Sequence, residues 1–398
     1  MTDIDHSQEI PDFSLVKGGP FYRILRRLKL CDERLEPSIR RIVAFAAFTW
    51  LPLMLLSMID GRTAGGVDIP FFKDVENHVR FLAALPLLLA AETLVEKHIS
   101  SRIKNFIRRR IITDGDLPRF RAAIRSASRM RDSTVAELLL LIAVYVAGPV
   151  FYGTLMASAS GAISTWYAAP DGIRWNLTLA GYWLVFVSLP VFQFLFLRWY
   201  FRIFIWFVFL LRVSRLNLYL LPTHSDRVAG LGFLNKCAYS FTYWMIAQGA
   251  ILSGFVAGQV IHFGSDPREY KLEAAGVVIL VLAAVLAPLA LFAPKLIQAK
   301  WDRGGVFGTF ASKYVEEFNS KWISGDDPTY KQLLGTSDLQ SLADLGNSYS
   351  IIEQTKPVPF GITDIIYMTF ITLMPLLPLL LFVFSLEELL DRLLKMLM

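Results

Sequence analysis

The apolar positions of this chain do not alternate with polar ones. They gather into solid runs of roughly 18 to 25 residues, the length that carries a helix across a ~30 Å hydrocarbon core. Within lipid every backbone N–H and C=O needs a partner in the protein, so such runs form helices. A closed barrel would need ~10-residue segments of alternating polarity instead, and the chain has none. Seven spans are predicted, at about 42–59, 81–96, 136–157, 177–197, 239–262, 273–293 and 364–384. The second is short, contains Pro86 and carries Glu92, which predicts a tilted or partly inserted helix. The fold class expected is therefore all-α: a polytopic transmembrane helical bundle of about seven spans, six to eight being compatible.

The polar segments complete the plan. A tail at 1–41 precedes the first pair of spans (42–96), and a basic loop at 97–135 leads to a core at 136–300. A subdomain at 301–363 precedes the last span and an amphipathic tail (364–398). Within the core, 198–221 is apolar but holds Arg198, Arg202, Arg212 and Arg215 around the centre Ile203–Leu211. That pattern predicts a helix in the membrane interface with arginines reaching toward headgroups; read as a span, it would make eight crossings. In 97–135, Ile103, Phe106, Ile107 and Ile111 are set among Arg108, Arg109 and Arg110, which predicts either a plain basic loop or a surface attractive to anionic lipid headgroups. In 301–363, Phe307, Phe310, Tyr314, Phe318 and Trp322 recur at helical spacing, as do Leu339, Leu342 and Leu345, and Ser324–Pro328 punctuates the two sets. Two short helices closing a small hairpin are expected there. The tail Leu386–Met398 reads as an amphipathic helix at the interface or on a partner.

Charge fixes the expected orientation. Of 40 Lys and Arg, 32 fall in the N-terminal tail, 97–135, 198–238 and 295–363, against 5 in the opposite loops 60–79, 158–176 and 263–272. The positive-inside rule then predicts a cytoplasmic N-terminus, and seven spans an external C-terminus. Met1–Pro20 has no secretory-signal pattern, so the run Ile42–Met58 is expected to be retained as a span. Composition agrees: 54% hydrophobic, mean hydropathy +0.46, and 19% charged where a soluble chain has about 25%. The net charge of +6 comes from the basic loops and gives no reason to invoke nucleic acid. Cys31 and Cys237 show no metal or redox spacing and are expected on the reducing side.

Candidate chemistry is sparse. Pro222–Phe233 (PTHSDRVAGLGF) places His224 and Asp226 beside Arg227, a set able to relay a proton or hold an anion; equally, Thr223 or Ser225 caps the next helix and Gly230 and Gly232 make a turn. One His and one Asp fall short of the three or four ligands usual for zinc, so no metal is expected. Glu92, an ionisable group in a span, is a functional candidate, though Glu96 and Lys97 close by also fit an interfacial position. Gln193, Gln248 and Gln259 predict interhelical hydrogen bonds, and Ala250, Gly254 and Gly258 form a small-residue ridge for close helix packing. A P-loop, GxGxxG, HExxH and a GxS-type serine with a suitably placed His are all missing from the sequence, so no cofactor, ATP-driven pumping or HExxH proteolysis is expected.

The motif at 222–234, the segment Leu334–Tyr349 (LGTSDLQSLADLGNSY), Pro357–Phe360 (PVPF) and Leu386–Leu390 (LEELL) resemble those of a group of uncharacterised bacterial polytopic membrane proteins. The resemblance covers about the second half of the chain. It implies a bacterial inner membrane, and no activity or site residues. Where that group tends to show His-Pro-Asp, this chain keeps the His and Asp as His224-Ser225-Asp226. Three functions stay open from the sequence: a transport or channel protein for an ion or small solute, a non-catalytic scaffold or regulatory subunit, and an enzyme acting on lipid or lipid-linked substrate at the cytoplasmic face; whether the chain forms a homo-oligomer stays open as well.

Overall fold

The computed structural model describes residues 13–30, 39–158, 163–171, 174–323 and 337–382. It is an all-α bundle. The helices are α1 (Gly19–Arg27), α2 (Ile39–Ile59), α3 (Val75–Arg108), α4 (Leu117–Arg131), α5 (Thr134–Ser158), α6 (Leu179–Ser214), α7 (Gly232–Phe263), α8 (Pro267–Ala290), α9 (Ala293–Trp322), α10 (Ser337–Glu353) and α11 (Ile362–Phe382). Six of these, α2, α3, α6, α7, α8 and α11, are long and apolar enough to cross a membrane. The apolar stretch Thr134–Val146 that opens the 25-residue α5 makes a seventh candidate. The chain is thus an integral membrane protein. The tail Leu386–Met398 and the punctuation at 324–328 lie outside the described residues.

Prolines shape the two longest spans. A proline lacks the N–H that would bond the carbonyl four residues back, and its ring clashes with that carbonyl. Before Pro86 and before Pro190 the chain opens into one π turn, Arg80–Ala84 and Leu184–Ser188, which lets the helix pass the proline without breaking. The second span is therefore not short: α3 runs through 34 residues, about 51 Å at 1.5 Å per residue. The same device joins the fourth predicted span to the arginine-rich stretch after it. Residues 198–214 continue α6 as one helix of 36 residues. Arg212 and Arg215 are exposed, but Arg198 and Arg202 are buried, so they do not reach headgroups. The physical reason is a carboxylate partner inside the bundle, described below.

The N-terminal residues that read as a polar tail are packed. Phe13, Leu15, Val16 and Leu25 are buried, and the Phe13 ring lies 4.5 Å from Phe209. The loop 97–135 likewise turns its apolar side inward. Ile103, Phe106 and Ile111 are buried, as are Phe120, Ala123, Ile124 and Ala127 of α4, leaving Arg108, Arg109 and Arg110 exposed. On the opposite side of the bundle a two-stranded antiparallel hairpin, β1 (Ala168–Asp171) and β2 (Arg174–Leu177), follows the buried Trp166. Trp166 packs edge-on against Phe71 at 5.0 Å and its Nε1 donates to Asp74 Oδ2 at 2.8 Å. The other Asp74 oxygen accepts from Asn77 N and caps α3.

Lipid supplies no hydrophobic force between helices, so close contact and hydrogen bonds hold the bundle. A Cβ on Gly249 would stand 1.8 Å from the Thr372 carbonyl oxygen, so only glycine lets α7 approach α11 there. Ser253 Oγ, one turn on, donates to the Pro375 carbonyl at 2.7 Å. In the 3-10 segment Met374–Phe382 that carbonyl has no N–H donor three residues on, because position 378 is proline. Beyond the bundle, α9 and α10 pair as a hairpin. Phe307, Tyr314, Phe318 and Trp322 are half-buried on one side of α9, although Phe310 is exposed. Tyr314 Oη and Trp322 Nε1 both donate to Asp338, to its carbonyl and its carboxylate respectively.

Candidate functional site: a buried arginine–carboxylate cluster

Four helices each point a charged side chain into one buried volume. α3 brings Glu92, α2 brings Arg41, and α6 brings Arg198 and Arg202, which share a face because they stand four apart. α5 brings Glu137 from its first turn. All five are buried, none more than 6% exposed. Glu92 Oε2 meets Arg41 Nη1 at 2.9 Å, while Oε1 meets Arg202 Nη1 at 2.6 Å and Arg198 Nη1 at 3.6 Å. Arg198 Nη2 lies 3.4 Å from Glu137 Oε1.

Around this centre the remaining donors are mostly spoken for. Arg41 Nη2 donates to the Leu89 carbonyl at 2.9 Å. Glu137 Oε2 accepts the Phe21 N–H at 2.7 Å, in the first turn of α1, where a carboxylate is favoured by the helix dipole. Gly18 and Gly19, both at positive φ, permit that approach: a Cβ on Gly19 would sit 2.6 Å from Glu137 Oε1. Arg198 also stacks over the Phe21 ring at 4.9 Å, and Arg202 over Trp199 at 5.1 Å. One turn along α3, Glu96 is also buried, but it takes the Ser14 hydroxyl at 2.6 Å.

The count of charges is uneven. Among the described residues, three guanidinium groups face two carboxylates. Arg202 Nη2 is buried and has no hydrogen-bond partner among them. An ion inside a bundle is costly and is offset by pairing, so an unpartnered donor on a buried cation is a place where an anion or water is favoured.

The loop 221–232 lies elsewhere. From Glu92 to Arg108 at the end of α3 the helix rises about 24 Å, and it is Arg109, just beyond, that reaches Asp226 Oδ2 at 3.6 Å. Asp226 Oδ1 accepts the N–H groups of Val228 and Gly230, and Oδ2 that of Gly232, each at 3.0 Å. His224 Nδ1 is 3.0 Å from Oδ1. Burial works against ionisation of Asp226, but the N–H groups of Gly230, Gly232 and Val228, with His224 beside them, outweigh it and hold the carboxyl below its ordinary range. The wrap this makes needs three residues in the left-handed region: Arg227 (φ 56°), Ala229 (φ 53°) and Gly230 (φ 94°). Arg227 is exposed, and its carbonyl accepts from Lys356 N at 2.8 Å. The structure therefore brings His224, Asp226 and Arg227 together, and keeps Glu92 apart from them. No group of three or more metal-ligating side chains occurs among the described residues.

On α7, Gly254 faces Val79 and Glu76 of α3, and Gly258 faces Glu76. Gln248 accepts the Tyr200 hydroxyl at 2.9 Å, joining α7 to α6, and Gln193 lies against Gly148 of α5. The sequence singled out Glu92, but neither its partners Arg41, Arg198 and Arg202 nor Glu137, which pairs with Arg198. The signal was present: a carboxylate in a span requires a cation at its own depth, and Arg198 and Arg202 at i,i+4 in an apolar run are that cation pair. No protein-family model, curated protein or solved structure matches the chain.

Proposed function

We propose that this integral membrane protein is a transport or channel protein and that the species it moves is a small anion passing the cluster of Arg41, Arg198 and Arg202. The observation that carries this reading is the buried Arg202 guanidinium, whose Nη2 has no hydrogen-bond partner among the described residues. A permeating anion would balance that charge, and Glu92 would compete with it for the arginines, so occupancy stays weak enough for release. The two π turns and the prolines after them give α3 and α6 the local give that movement past the cluster requires. In this reading the N-terminus and the basic loops face the cytoplasm of a bacterial inner membrane. Arg41, Arg198 and Arg202 are buried, and the asymmetry of basic residues between the two sets of loops persists without them. A cysteine placed at Ser225 should react only with reagents admitted to the cytoplasmic side.

The test is efflux from proteoliposomes loaded with chloride, sulfate or phosphate. Wild type is expected to release at least one of them faster than empty vesicles, and Arg202→Met to abolish the difference while still folding. No anion flux from folded wild type overturns the reading. A second function, a scaffold or regulatory subunit, has one feature of its own: Trp301, Val306 and Phe310 on α9 are 75%, 69% and 57% exposed beyond the bundle. Stable co-purification of a second protein, lost in Trp301→Ser, would favour it.

A further inference from the structure

Beside the charge cluster lies a separate apolar cavity of about 280 Å³, between α1, α2, α5 and α6. Phe21, Ile24, Leu138, Leu141, Tyr145 and Phe194 line it, and Glu137, at its inner end, is already taken by Arg198 and the Phe21 N–H. The cavity is not sealed. Ile24, Leu138, Leu141 and Tyr145 are 53%, 55%, 40% and 51% exposed, so its wall continues onto the outer face of the bundle. That face belongs to a membrane protein, so what lies against it is lipid.

The mouth of the cavity has its own chemistry. α1 packs on α5, and Arg131 at the end of α4 donates its Nη1 to the carbonyl of Ser14, ahead of α1, at 2.8 Å. On α1 the exposed Arg23 and Arg27 form one stripe, and the exposed Ile24, with Leu28 just past the helix end, forms the stripe beside it. A short amphipathic helix with this composition lies in the plane of the interface, apolar side down and arginines at headgroup level. Apolar wall and basic rim are joined through Ile24, which belongs to both.

We propose that this groove is a binding site for one anionic phospholipid, with an acyl chain between α1, α5 and α6 and the headgroup phosphate at Arg23 and Arg27. The occupant is a lipid because the wall is apolar and opens onto the lipid-facing surface. It is anionic because the rim holds arginines, each basic residue near a membrane surface favouring anionic lipid about fivefold. The site does not depend on the transport reading, since none of the three cluster arginines lines it.

The protein is reconstituted in nanodiscs with a phosphatidylglycerol or a phosphatidylcholine carrying a photoreactive group on its acyl chain, and the adducts are mapped by mass spectrometry. Phosphatidylglycerol is expected to label 137–145 and 190–195 well above the lipid-facing surface of α8. Arg23→Gln with Arg27→Gln should lower that labelling on the order of tenfold, and Leu141→Trp, which fills the cavity from a position 40% exposed, should displace it with the rim intact. Equal labelling by phosphatidylcholine, labelling no greater than on α8, or labelling unchanged in both variants would each overturn the proposal. Thermal melting of each variant identifies any that fails to fold, and the two variants act through different residues.

Discussion

Replacing Glu92 by Gln keeps the side chain's size and removes its charge. In wild type that carboxylate stands 2.6 to 3.6 Å from three guanidinium groups and is 3% exposed. Removing one partner of a buried ion pair costs about 3–5 kcal/mol, because the ion left behind stays desolvated. Here Arg41, Arg198 and Arg202 would all lose the carboxylate they share, so the upper part of that range is expected. A chain this long loses about 2 °C of Tm per kcal/mol, the low end for smaller domains, which gives a drop of roughly 8–10 °C. Cys237, buried and free, provides the assay: in a Cys31→Ser background a thiol-reactive dye reports melting as that thiol becomes accessible. Arg202→Met alone should cost less, since Glu92 retains Arg41 and Arg198. Combined with Glu92→Gln, it should cost less than the sum by about 1–3 kcal/mol, because it removes one of the uncompensated cations. The reasoning is refuted if Glu92→Gln melts within about 2 °C of the exposed control Glu353→Gln, or if the double variant is additive.

Three further outcomes are expected. Gly249→Ala drives a methyl into the Thr372 carbonyl and should lower stability by about 1–3 kcal/mol in the same dye assay, whereas Gly276→Ala, which meets open space, should be neutral or raise it by up to about 1 kcal/mol. Ser253→Ala removes the donor to the Pro375 carbonyl and should cost ~0.6 kcal/mol, read as greater sensitivity of α11 to added SDS. Asp226 holds its carboxyl below the ordinary value, so its contribution is complete above about pH 4 and is lost as pH falls through its folded value. Asp226→Asn should therefore melt lower than wild type at pH 7, by about 1–2 kcal/mol, and tryptophan-fluorescence melts should show the gap narrowing below about pH 4.

How far the sequence reached differs from feature to feature. Glu92 stood out because an apolar run makes any ionisable group conspicuous, yet its partners did not, since depth in the membrane cannot be assigned until the π turns at Arg80–Ala84 and Leu184–Ser188 set the register of α3 against α6. Arg198 and Arg202 read as interfacial because arginine near the end of an apolar run most cheaply reaches water; inside the bundle Glu92 and Glu137 are nearer. The ridge Ala250, Gly254 and Gly258 was visible as a repeat of four, whereas Gly249 on another face of the same helix shows only when the Thr372 carbonyl is in place.

Run length and hydropathy by themselves determined that this is a helical membrane protein, because a backbone in hydrocarbon satisfies its hydrogen bonds only as helix or closed barrel, and solid apolar runs fit the helix. Tertiary structure alone decided that residues 13–30 belong to the bundle, that 97–135 folds its apolar side inward, and that five charges from four helices share one buried centre. Those facts depend on which surfaces meet. Between spans surrounded by lipid the hydrophobic pattern carries no preference among partners, so close contact, hydrogen bonds and charge pairing make the choice.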